Sequence, residues 1–396
     1  MINPSQVIKD YNKDRNQQLL QRKYERMNES IWSFFRGTCH LFYQEIQNDK
    51  FLSKSPSVWI CGDLHLENFG AHKGNNRLVY FDLNDFDEAI QGPLFWELSR
   101  VLISIMIAGE SWNLNKTDRK NLCKYFLDYY TKALKVGNAQ LLERELAQGI
   151  ICDLLTQLEK RKRRDLLINR VQEKKGKLKL ILNKDRALPL EDDYKQEVID
   201  HLQKWVNEKQ YFGKILDVAT RIAGTGSLGI ERYIILAENC EKNKNPILLD
   251  MKKAEDSCLK PFLGKQPIWE NNAQRTIGIQ KMMQAVPPAF LDITNIDDRF
   301  FVLKELQPVE DKIKFDSLAK NFTKITQVIE DLASLTAWAQ LRSGGRKGSA
   351  ITDELIDFAN QDWQDDLLKF CDTMIDNIKN DYKTYCTSFN EGFFQM

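Results

Sequence analysis

Cys61-Gly62-Asp63-Leu64-His65-Leu66-Glu67-Asn68-Phe69-Gly70 is the stretch on which the fold turns. Ser57-Val58-Trp59-Ile60 before it is a short apolar run that reads as a strand and leads straight into Gly62-Asp63. Asp63 therefore stands at a strand end, with Asn68 further along the same loop. In phosphoryl transfer an aspartate orients the attacking hydroxyl and takes its proton, and an asparagine of the same loop binds magnesium. Magnesium wants hard oxygen ligands and accepts several of them from phosphates. Asp63 is the candidate base and Asn68 a candidate metal ligand. His65 is either a phosphate contact or a loop histidine satisfied by its neighbours.

Downstream, Leu78-Val79-Tyr80-Phe81 reads as a second strand, and Gly74-Asn75-Asn76 between the two is turn chemistry. That strand ends in Asp82-Leu83-Asn84-Asp85-Phe86-Asp87-Glu88. Carboxylates crowded among apolar residues are costly without a cation. If the strand persists, alternation puts Asp85 and Asp87 on one face, as further metal candidates. A surface acidic turn that caps a helix is the plainer alternative.

Helical spacing covers residues 5–50, 94–109 and 117–160, the last with Leu141, Leu142, Leu146, Ile150, Leu154 and Leu158. A basic run, Lys160 to Arg164, precedes the alternating segment 176–182. It reads as a solvated helix end, or as a clamp for an anionic substrate. Residues 193–218 read as an amphipathic helix. Beyond it short strands dominate: Ile230–Leu236, Pro246–Met251 and Phe300–Leu303, with a helix over 273–285. From Leu318 onward the chain is helical, broken at Arg342-Ser343-Gly344-Gly345.

Gly224-Thr225-Gly226-Ser227-Leu228-Gly229 opens the strand-rich part. Glycines let backbone N–H groups approach a phosphate closely. A dinucleotide site needs a helix after such glycines; here a strand pattern follows. The next strand ends at Lys252, a candidate phosphate contact, and alternation lets only one of Lys252 and Lys253 face the same side. Glu255 and Glu270 are candidates to orient that lysine. Phe301 to Pro308, including Glu305, reads as a strand and hinge beside a base.

Gly62-Asp63-Leu64-His65-x-x-Asn68 resembles the catalytic loop of aminoglycoside and choline phosphotransferases, within the protein-kinase-like superfamily. Asp85-Phe86-Asp87 resembles their metal-binding Asp-Phe-Gly segment, and Gly92-Pro93-x-x-Trp96-Glu97-Leu98 the segment that follows it. Together with Phe34-Phe35-Arg36-Gly37 and the Asn84–Glu88 run, these motifs resemble a mainly bacterial domain-of-unknown-function family assigned to that superfamily. The likeness runs from about Met27 to about Gly345. It implies Asp63 as base, Asn68 and Asp85 as metal ligands, and Lys252 with the 224–229 loop on the phosphates of ATP. It departs at Cys61, where the phosphotransferases usually carry histidine, and at Asp87, which replaces a glycine and is an extra ligand or a structural group. Arg36 is a candidate for phosphate or for an ion pair with the acidic cluster.

Motif order is reversed relative to ordinary kinases, whose glycine loop and lysine precede the catalytic loop. A circular permutation accounts for this, since permutation is tolerated at surface-exposed termini. The expected fold is α+β and bilobal, kinase-like, with a small β-rich nucleotide lobe and a large helical lobe. The expected parts are a helical segment 1–55, a catalytic and metal-binding part 56–218 with a basic insertion 160–190, a nucleotide lobe 219–310 and C-terminal helices 311–396.

Across 396 residues, 57 basic and 56 acidic side chains leave a net charge of +1, without the basic excess of a nucleic-acid binder. No apolar run approaches the roughly 18 residues of a membrane span, and the polar N-terminus lacks the apolar middle of a signal peptide. Eight scattered cysteines and four histidines lack the clustering of a structural zinc site and read as reduced thiols in the cytoplasm, with signal-free export left open. The expected activity is ATP- and Mg²⁺-dependent phosphoryl transfer to a hydroxyl, on a small molecule by preference, with a protein substrate left open. Nucleotidyl (AMP) transfer and a regulatory pseudokinase are the alternatives.

Overall fold

The computed structural model describes residues 3–209, 212–240, 244–307, 311–318 and 321–395. Its architecture is mixed α+β: one six-stranded sheet with its own helices, set against a larger helical body.

In chain order the strands are β1 (Ser57–Ile60), β2 (Phe69–Lys73), β3 (Val79–Leu83), β4 (Ile90–Pro93), β5 (Val171–Lys174), β6 (Lys177–Leu180), β7 (Ala187–Leu188), β8 (Phe212–Arg221), β9 (Arg232–Asn239), β10 (Ile247–Lys253), β11 (Asp292–Ile296) and β12 (Arg299–Glu305). The large sheet is antiparallel in the order β11-β12-β10-β9-β8-β7. Alternation decides its two faces. Tyr233, Ile235, Leu249, Met251, Phe301 and Leu303 pack on one side with Val198, Leu202 and Trp205 of the helix Asp192–Lys209. On the other side Ile234, Leu236 and Leu248 pack beneath Leu167 and Leu180 of the basic insertion. β5 and β6 form a hairpin within that insertion.

The helical body is organised around the helix Leu94–Ser111, which is buried along nearly its whole length. Lys116–Val136, Phe322–Ser343 and Gln364–Asn390 flank it, and four short helices between Pro4 and Ile46 complete the body. None of the helices among the described residues is long and apolar enough to cross a membrane.

Two expectations about helices fail. Residues 138–148 are not helical, because Gly137 takes a left-handed φ of 67° and ends the preceding helix. Leu142 then packs beside β3, where its carbonyl accepts from the Phe81 N–H, and Leu146 faces solvent. The helix over 193–218 stops at Lys209, and Phe212 to Val218 belong to β8, where Phe212, Ile215 and Val218 join the sheet core. The expected break at 342–345 falls where Gly344 and Gly345 follow the helix Phe322–Ser343. Pro308, the expected end of the hinge, lies outside the described residues, as do 210 and 211.

Candidate functional site

A cavity of ≈ 740 Å³ separates the sheet from the helical body. Its floor comes from the Asp63 loop and the Asp85–Glu88 turn, and its opposite wall from β8, β9, β10 and β12.

Three polar residues of the helix Leu94–Ser111 hold the Asp63 loop from below. At positions 97, 100 and 104 they share one helical face. Glu97 Oε1 accepts from the backbone N–H of Cys61 at 2.7 Å and of Gly62 at 3.3 Å. Ser104 Oγ accepts from the Leu66 N–H at 3.3 Å. Arg100, fully buried, grips Asp63 Oδ1 through Nε at 2.7 Å and Nη2 at 2.6 Å, and also donates to the Phe35 carbonyl. Its guanidinium lies 4.1 Å from the Phe35 ring centroid. Burial raises the Asp63 carboxyl above its ordinary range, with Arg100 pulling against it. Burial also pushes Glu97 up to about 8, which keeps it largely protonated at neutral pH. Gly62 takes a φ of 80°, and a Cβ there would lie 2.4 Å from the Glu88 carbonyl oxygen, so this turn admits only glycine.

Asn68 Nδ2 donates to the Asp63 carbonyl, which frees its Oδ1 for the cavity. The Asn68 carbonyl accepts from the Asn84 N–H at 2.8 Å. Pairing of Phe69 with Leu83 in β2–β3 thus brings Asn68 and Asp85 to the same hairpin end. β3 stops at Leu83, so strand alternation does not govern Asp85 and Asp87; instead Asp85 Oδ1 accepts from the Asp87 N–H at 3.3 Å. Both still line the cavity, Asp85 the more exposed. The His65 ring is buried, its Nδ1 accepts from the Glu67 N–H at 3.2 Å, and burial lowers its basicity. Arg36 pairs with Glu67 at 2.9 Å rather than with the 82–88 cluster.

On the opposite wall Lys252 donates to Asp87 Oδ2. The lysine's partner is therefore Asp87, not Glu255 or Glu270; Glu255 pairs with Lys253 at 2.7 Å, and the helix Asn272–Met283 presents Thr276 and Gln280 to the cavity. Burial lowers the Lys252 ammonium to about 8, while Asp85 raises it. A clamp locks the acidic turn to the segment that follows β10 and to the helix Asn272–Met283: Glu88 Oε2 accepts from the Cys258 N–H at 2.6 Å, Ser257 Oγ donates to the Glu88 carbonyl, and buried Arg275 donates to the Asp87, Ala89 and Glu255 carbonyls.

Gly224, Gly226, Ser227 and Gly229 occupy the turn between β8 and β9 and line the cavity. Gly224 and Gly229 have φ of 73° and 86°. The N-terminal segment fixes this turn by its carbonyls: Arg15 Nη1 donates to Gly226 at 2.6 Å and Leu228 at 3.0 Å, and buried Lys23 donates to Gly226 at 3.0 Å. Glu305 is not part of the cavity lining; its side chain pairs with Arg77 and Arg163. Gln307, Lys304 and Val302 line that end instead.

The motif reading quoted Glu97 without giving it a role, and missed Arg100 and Arg275, and also Arg221, Arg232, Asp250 and Lys304 on the sheet wall. Their signal was charge inside apolar runs, as Asp250 in Ile247–Met251 and Lys304 in Phe300–Leu306.

Fold and site together define a mixed α+β protein whose sheet and helical body enclose a cavity with an acidic floor and a cationic wall. Residues 15–388 match a family described as an uncharacterized protein conserved in bacteria (DUF2252), and the chain belongs to that family. No curated protein matches it, and no solved structure does.

Proposed function

We propose that this protein is an ATP- and magnesium-dependent phosphotransferase, acting on a hydroxyl of a small molecule from a circularly permuted kinase-like fold. One observation carries the reading: Asp63, Asn68, Asp85, Lys252 and the 224–229 turn, far apart in sequence, line one cavity. The order of parts supports it as well. A glycine turn joins β8 to β9, Lys252 lies on β10, and a helix precedes β11 and β12 in one antiparallel sheet.

Asn68 Oδ1 and the exposed Asp85 carboxylate fit magnesium. Among the described residues no group of three or more His, Cys, Asp or Glu is gathered to hold a metal, which suits an ion that takes one or two protein carboxylates and completes its shell with phosphate and water. Bound there, it would neutralise charge on the phosphates. Asp87 is paired with Lys252, which supports a positioning role for it.

In the transfer, Asp63 orients the acceptor hydroxyl and takes its proton on Oδ2, since Oδ1 is held by Arg100. The hydroxyl oxygen bonds to the γ-phosphorus, the bond from that phosphorus to the β,γ-bridging oxygen breaks, and ADP leaves. Lys252 and the glycine turn hold the phosphates. The eight free cysteines accord with a reducing, cytoplasmic setting.

AMP transfer is the second reading, favoured by the cationic sheet wall, which sets Arg232 and Lys304 where a base would want apolar contact. Labelled ATP and the mass of the products separate the two. Asp63→Asn, which keeps an acceptor for Arg100, lowers turnover by about 10²–10⁴-fold under either chemistry. Unchanged turnover in that variant defeats the assignment of the base.

A further inference from the structure

The cavity end beyond Lys252 carries a second group of cations. Asp250 is buried at 3% exposure and lies opposite Lys304 in the β10–β12 register. Arg232 clasps it through two hydrogen bonds, of 2.8 and 2.5 Å, and Arg221 pairs with it at 2.5 Å while donating to the Gln307 carbonyl. Lys304 has no hydrogen bond or ion pair with any described residue, and it lines the cavity. Three cations thus face one carboxylate. The strand residues lining this wall are polar or charged apart from Val302 and Tyr233. Such a wall is costly to keep empty and gives an apolar base little to bury against.

We propose that Arg221, Arg232 and Lys304 form a second anion subsite that takes a phosphate group of the bound ligand. Asp250 is its positioning residue: it holds both guanidinium planes in place, and the third cation stays free for the ligand. Lys252 lies two residues from Asp250 along β10, about 7 Å at strand rise, close enough for one polyphosphate or two neighbouring phosphates to span both subsites. The inference rests on the reading of the cavity as a phosphate site. It adds that the end away from the Asp63 floor also selects an anion, supplied either by the terminal phosphates of a nucleotide bound in the reverse sense that AMP transfer requires, or by a phosphorylated acceptor.

Calorimetric titration of the full chain with inorganic phosphate and with tripolyphosphate, without metal or ATP, tests it apart from any transfer activity. Lys304→Met is expected to weaken binding of both at least tenfold, while the melting temperature of the ligand-free protein stays level or rises, because a half-buried cation without an ion-pair partner is gone. Lys304→Arg is expected to restore binding. A merely structural lysine would lower the melting temperature and leave phosphate affinity alone. Absence of phosphate binding by the wild type up to about 10 mM, well into the weak range, overturns the subsite, as does equal affinity in Lys304→Met. Displacement of phosphate by ATP–Mg²⁺ assigns the subsite to the nucleotide, and phosphate that stays bound beside ATP–Mg²⁺ assigns it to the acceptor; either supports the subsite. Loss of turnover in Asp63→Asn bears on the transferase reading alone.

Discussion

The Asp63 loop of the cavity's acidic floor hangs from one buried helix, whereas the cationic wall is spread over four strands. Asp63 is held through Arg100, and the backbone around it through Glu97 and Ser104, so the floor is set by the same packing that forms the body core. Lys252 and Lys304 project from an already stable sheet whose far face carries its own hydrophobic cluster. The difference teaches that the floor joins function to folding, while the wall can be altered with the fold intact.

The largest stability loss is expected for Arg100→Met. It removes the fully buried half of the ion pair, leaves the half-buried Asp63 carboxylate without its partner, and costs about 3–5 kcal/mol. Urea unfolding checks it, and a loss under 1 kcal/mol would show that the floor does not depend on this helix. Gly62→Ala is next, at roughly 3 kcal/mol, because a left-handed φ and a close carbonyl oppose any side chain. A milder effect concerns pH. The folded carboxyl of Glu97 titrates near 8, above its unfolded value, so the native state holds the extra proton between the two. Its contribution is present below the unfolded pKa and is lost as pH rises through about 8. Glu97→Gln should flatten the decline in stability between pH 5 and 8 by on the order of 1–2 kcal/mol. A slope equal to wild type would remove Glu97 from the account. Smallest of all is Lys252→Met, expected within about 1 kcal/mol of wild type because partly exposed Asp87 can be hydrated instead. The same variant should lose most nucleotide affinity, which is the sharpest contrast between wall and floor.

How far the sequence reads follows the same division. Asp63, Asn68 and Asp85 announced themselves because their loop is local and their spacing fixed. The glycine turn and Lys252 did so because turn chemistry and strand alternation are local too. Arg100, Glu97 and Ser104 stayed hidden, since their roles arise only when an apolar helix packs beneath a loop more than thirty residues upstream. Asp87 as the partner of Lys252 was equally out of reach, because the pair joins two distant segments. Local errors had local causes. The leucines at 141–146 keep helical spacing although Gly137 has already stopped the helix. Phe212 to Val218 continued an apolar pattern that short-range periodicity does not separate from the helix before it.

The central claim is that both walls close on a single metal–triphosphate ligand. Calorimetric titration with ATP, with and without Mg²⁺, on wild type, Asp85→Asn and Lys252→Met tests it most directly. The account predicts metal-dependent binding by wild type, loss of the metal dependence in Asp85→Asn, and weak binding with or without metal in Lys252→Met. ATP affinity that is indifferent to Mg²⁺ and to both substitutions would contradict it.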